Sequence, residues 1–141
     1  MASGEHGKPS VRLVEQRIRN RVIEYLEVAA SFEEQQQYEC NVPIAYVPGE
    51  VINMWGDNFP SGLERDLPRF RVFLAGEVAA LRTFEPVWDA ANRAMPDGFP
   101  TLATVQALPA WAVLRDAALA ALAVFEQRGR LPEEEEVPLG E

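Results

Sequence analysis

Histidine and cysteine are almost missing from this 141-residue sequence, which has one of each. His6 lies in an unpatterned amino-terminal stretch, so acid/base catalysis or nucleophile activation by an imidazole has no partner in the folded domain. One thiol, Cys40, cannot build an internal disulfide or a thiolate metal site. With Glu39 beside it and no Lys or His nearby, Cys40 reads as a buried structural thiol rather than a nucleophile. Neither an ExxH pair, nor the Asp-rich spacing of a calcium loop, nor a Gly-rich phosphate cradle occurs, so no metal and no cofactor is expected. Long hydrophobic runs are lacking too: the most apolar stretch, Ala117 to Phe125, is half the roughly 18 residues of a membrane span. Arg12, Glu15, Arg17, Arg19, Arg21 and Glu24 interrupt the first thirty residues, which excludes a secretory signal as normally built. The expectation is a cytoplasmic protein that is not an enzyme and does not enter a membrane.

What is present is acid. The net charge is −9, and it is unevenly spread. Met1 to Ala30 is slightly basic, whereas Ser31 to Asp66 carries seven acids (Glu33, Glu34, Glu39, Glu50, Asp57, Glu64, Asp66) against Arg65 alone. Phosphate binding needs clustered Lys and Arg, so nucleic acid is a poor partner. A basic protein is a good one. At this length the chain forms one domain that buries roughly 70% of its unfolded surface and needs no crosslink to hold a core.

The hydrophobic pattern is helical. Ser10 is a good N-cap, and Val11, Val14, Ile18, Val22, Tyr25, Leu26 and Ala29 follow at helical spacing, with Arg12, Arg17, Arg19 and Arg21 on other faces. Ser31 and Glu34 match a capping box, so the chain stops and restarts there or runs on unbroken to about Cys40, and Pro43 ends either version. Val47 to Trp55 suggests a short helix with Pro48 in its first turn and Val51, Ile52 and Trp55 facing inward. A second long helix begins near Leu74 and contains Pro86, a helix-kinking residue; Met95 to Gly98 closes it as a turn. Thr101 to Gln106 gives one or two helical turns. Pro109 opens the last helix, whose stripe is Trp111, Leu114, Ala118, Leu122 and Phe125, and Gly129 closes it. The expected fold is all-α, a single-domain bundle of four to six helices over residues 11–130, between a disordered tail at 1–10 and a solvated acidic tail at 131–141. Val42 to Tyr46 is the one short extended candidate.

Gly56 to Pro68 (GDNFPSGLERDLP) holds two glycines, two prolines and several acids and reads as the main loop. As contacts for a basic partner the sequence singles out Glu50, Asp57, Glu64 and Asp66, because loop carboxylates are rarely needed for packing. Trp55 either supports the core or serves as an apolar anchor.

Three stretches carry a resemblance: RIRNRVIEYLEVAASFEEQQQYECNVP (Arg17 to Pro43), VPGEVINMWGDNF (Val47 to Phe59) and ALAVFEQRGRLPEE (Ala121 to Glu134). Together they resemble immunity proteins of contact-dependent growth inhibition and related polymorphic toxin systems, with Gly56 standing where the family pattern has an acid. The resemblance implies a protein that binds the carboxy-terminal toxin domain of a cognate effector, a basic nuclease and in the first place a ribonuclease, and covers its active site or substrate cleft. The alternative from the residues alone is a non-catalytic helical adaptor for another basic protein, with a homodimer as one form.

Overall fold

The architecture comes from a computed structural model that describes residues 8–138. His6 and most of the expected amino-terminal tail lie outside the described residues, as do 139–141 of the carboxy-terminal one. The fold is all-α, with seven α-helices among the described residues: α1 (Val11–Ala29), α2 (Phe32–Asn41), α3 (Val47–Asn58), α4 (Leu63–Asp66), α5 (Ala75–Arg93), α6 (Leu102–Gln106) and α7 (Pro109–Glu126). The long helices α1, α5 and α7 form the body. α5 and α7 run antiparallel: at the start of α5 Glu77 pairs with Arg128 just beyond the end of α7, and Phe73 packs on Phe125. α1 packs against α7 and α3.

Local chemistry sets the boundaries. Ser10 and Ser31 cap α1 and α2, each hydroxyl accepting the N–H three residues on, from Leu13 and Glu34. The chain therefore stops at Ala30 and restarts. After α2 the residues Val42 to Tyr46 form a turn, the Ala45 N–H bonded to the Val42 carbonyl, and not an extended segment. Pro48 and Pro109 sit in first turns, where no N–H is missed. α5 continues through Pro86. Gly129, at φ +78, donates to the Phe125 carbonyl and ends α7 as expected.

Trp55, Tyr25 and Phe84 meet at the centre of the core, with ring centroids 4.8 Å apart for Trp55 and Phe84, 5.6 Å for Tyr25 and Trp55, and 6.0 Å for Tyr25 and Phe84. Val22, Leu81, Trp111, Leu114 and Leu122 complete it; Ile18 and Trp88 are half-buried at its edge. Each aromatic pair adds about 0.5–1.5 kcal/mol beyond area burial.

α1 departs from its hydrophobic stripe. Val11 is 75% exposed and Val14 is exposed, whereas Glu15, Gln16, Arg19 and Asn20 are buried. Arg19, expected on an outer face, is 0% exposed because α5 supplies its counter-charge. Its Nε and Nη2 grip both oxygens of Glu77 at 3.1 and 2.8 Å, and it also donates to the carbonyls of Gly129 and Phe125 while its guanidinium lies over the Phe125 ring. Glu77 further accepts from Arg128 at 2.9 Å and from the Leu74 N–H at 3.1 Å. Burial works to raise the Glu77 pKa, but the Arg19 and Leu74 hydrogen bonds and the charges of Arg19 and Arg128 overcome it. The carboxyl is held below its ordinary value.

Gln16 and Asn20 are buried for a second reason: the segment expected to be a solvated end is laid along α1. Asn20 holds Leu131 by both amide atoms, donating to its carbonyl at 2.8 Å and accepting its N–H at 2.9 Å. Gln16 donates to the carbonyls of Pro132 and Glu135 and accepts the Val137 N–H. Arg17 donates to the Glu133 carbonyl, and Arg12 and Arg17 pair with Glu136 and Glu134. Glu133 to Glu136 remain exposed, but their backbone is strapped down.

Cys40 is exposed, contrary to expectation. α2 buries only Gln35, so nothing covers the thiol near its far end.

Candidate functional site

α3 places its apolar residues Val51, Ile52 and Trp55 inward, so its remaining faces carry what a partner meets. Glu50 stands in its first turn, half-buried, and Asp57 in its last, exposed. The chain then doubles back through Pro60 to Gly62 into α4, where Glu64 is exposed. The stretch expected as one loop is thus three structured pieces: the end of α3, α4, and a 3-10 turn at Leu67–Arg69, fixed by the burial of Leu63 and Leu67.

Two neighbouring hollows collect these carboxylates against α5. One, of about 490 Å³, is lined by Glu64, Arg82, Glu85 and Asp89, with Trp55 and Phe59 among its apolar walls. The other, of about 560 Å³, is lined by Glu50, Asn53, Asp57 and Asn92. Gly56 and Trp88 border both. Trp88 is pinned by its Nε1, which donates to the Ile52 carbonyl at 2.9 Å. A Cβ on Gly56 would meet nothing within 4 Å, so the ground between the hollows is open.

Glu50, Asp57 and Glu64 are therefore brought to one side of the molecule, and Glu85 and Asp89 join them. The sequence reading missed these two, although their i, i+4 spacing on α5 puts them on one helical face. Two expected contacts do not reach the surface. Trp55 is 1% exposed and belongs to the core, not to an interface; its Nε1 donates to Glu85 Oε1 at 2.9 Å and so fixes one carboxylate of the face from beneath. Asp66 is 5% exposed because its carboxylate accepts the Ser61 N–H at 2.9 Å and closes the turn before α4.

Glu64 is paired with Arg82 at 3.2 Å and Asp89 with Arg93 at 2.9 Å. Exposed pairs of this kind are worth about 0–1 kcal/mol, so both arginines can swing aside when a stronger cation arrives. Glu50 and Asp57 have no ion-pair partner among the described residues. The face therefore presents acidic groups around two open hollows rather than in a closed pocket, a geometry suited to receiving cationic side chains. Among the described residues no group of three or more His, Cys, Asp or Glu is placed to hold a metal ion, and no helix is long and apolar enough to cross a membrane. No family, no curated protein and no solved structure matches this chain.

Proposed function

We propose that this chain is an immunity-type binding protein that neutralises a basic toxin domain, a nuclease, by laying its α3–α4–α5 face over the substrate cleft. One observation carries the reading: Glu50, Asp57, Glu64, Glu85 and Asp89 share the walls of two adjoining hollows on a chain of net charge −9. Cationic side chains that bind phosphates in the toxin's cleft find carboxylates here instead. Long-range attraction speeds encounter, and the desolvated pairs set the lifetime of the complex. No bond is made or broken by the inhibitor. The resemblance of its sequence to contact-dependent growth inhibition immunity proteins supplies the class of partner, and the charge supplies the mechanism.

The test is protection. Such a function requires a small basic domain encoded beside this chain; the two are co-expressed in bacteria, and growth is followed beside affinity at low and high salt. The triple variant Glu50→Lys, Asp57→Lys, Glu64→Lys stays folded, because Asp57 and Glu64 are exposed and Glu50, half-buried, has no ion-pair partner among the described residues, yet loses protection. Wild-type affinity falls as salt rises. Full protection by the triple variant, or binding indifferent to salt, overturns the proposal.

A further inference from the structure

One surface feature remains unexplained by the acidic face. Phe99 is 84% exposed and adopts φ +55, a left-handed conformation that costs a residue with a Cβ free energy and that large side chains rarely keep. It does not dangle. Its ring meets Tyr46 edge-on with centroids 5.6 Å apart, and the Tyr46 hydroxyl donates to the Pro100 carbonyl at 2.6 Å. Tyr46 is itself seated by Gly49, where any Cβ would stand 2.8 Å from its ring. In the turn that leads into Tyr46, Ile44 is 97% exposed. Packing explains neither side chain: a braced aromatic in strained backbone and a bare isoleucine project beside the start of α3.

The surroundings say what fits there. The two chain segments that build this end, residues 31–64 and 94–114, contain no Lys or Arg at all. Arg93 and Arg115, which bracket the second segment, are each bonded to an aspartate, Asp89 and Asp116. Glu50, whose N–H bonds to the Tyr46 carbonyl, joins this end to the acidic hollows one helical turn away. A second copy of the chain would bring like charge to like, which favours a basic partner over it as the occupant.

We propose that Phe99 and Ile44 are the apolar anchors of the same interface, and that the partner is a basic protein with an apolar pocket at the edge of its cationic cleft. The inference rests on the functional reading above and adds to it the place of the anchor, which Trp55 cannot fill. Buried aromatic anchors carry most of the energy in interfaces of this kind, while surrounding charges steer. The strain at Phe99 follows from presenting the ring outward.

The experiment selects ligands without knowing the partner: a random 16-residue peptide library displayed on phage is panned on the full chain, and winners are measured by titration. Supporting outcomes are peptides rich in Lys and Arg with an aromatic or aliphatic residue, whose affinity falls at least tenfold in Phe99→Ser with Ile44→Ser. Basic peptides that ignore that double variant but are lost by the Glu50, Asp57, Glu64 reversal overturn the anchor and leave the acidic face standing. Neutral or acidic winners overturn both, and so does a library that yields no binder. Phe99→Gly is the control for folding: it relieves the backbone, so its thermal midpoint holds while peptide affinity drops.

Discussion

Replacing Glu77 with alanine removes the acceptor for two bonds from Arg19, one from Arg128 and one from the Leu74 N–H. Arg128 is 21% exposed along its side chain, keeps the Val72 carbonyl and has water within reach. Arg19 is 0% exposed and has nowhere to go. It keeps the Gly129 and Phe125 carbonyls but no counter-charge, and a buried charge stripped of its partner costs about 3–5 kcal/mol. Against a total stability of about 5–15 kcal/mol that is a large share. With an m-value of roughly 2 kcal/mol/M, the urea midpoint should fall by about 1.5–2.5 M, read by circular dichroism. The double variant Arg19→Met, Glu77→Leu removes both charges together, so it should lie well above the sum of the single losses. The pH dependence has a definite sign. A carboxyl whose folded pKa is depressed stabilises fully above its unfolded pKa, near 4.3, and loses that contribution as pH falls through the folded value. Wild type should therefore weaken below about pH 4 more steeply than the double variant. A loss under about 1 kcal/mol for Glu77→Ala, or parallel acid curves for the two proteins, would refute the reasoning.

Asn20→Ala leaves the Leu131 N–H and carbonyl without their partner and should cost about 1–3 kcal/mol, with faster hydrogen exchange confined at first to residues 131–137. Ser31→Ala removes the cap of α2 and should cost about 1 kcal/mol, measured by thermal melting; no change would mean that water replaces the hydroxyl. Phe99→Gly relieves about 1–3 kcal/mol of backbone strain but gives up the Tyr46 edge contact and adds chain entropy, so stability should stay within about 1 kcal/mol of wild type.

The elements written by local chemistry were legible in the sequence. Ser10 and Ser31 announce caps, Pro43 a stop, Pro48 and Pro109 first turns and Gly129 an end, and each does what its chemistry requires. Periodicity placed Val51, Ile52, Leu114 and Phe125 inward without help from tertiary structure. It failed on α1, where Gln16, Arg19 and Asn20 are buried because their partners lie 58 to 121 residues away, a distance at which no pattern in a helix reports them. α4 escaped for a different reason: a helix of four residues cannot nucleate alone and exists because Leu63 and Leu67 are pulled into the core. Of the site, Glu50, Asp57 and Glu64 were legible as charge. Trp55 was ambiguous until its indole was seen among Tyr25 and Phe84, and Asp66 until its bond to Ser61 showed a structural task.

The strap along α1 gives the fold a direction in time. Ribosomal synthesis delivers α1 first, yet the acceptors for Gln16 and Asn20, and one for Arg19 at Gly129, are the last parts of the described chain to be made. Until residue 137 has emerged, a helix already long complete carries polar groups that water alone can satisfy, on a face that must later exclude it. The bundle therefore cannot lock shut halfway through translation. A chain that ends before residue 131 lacks these partners for α1 and should be cleaved along that helix faster than one that carries the strap.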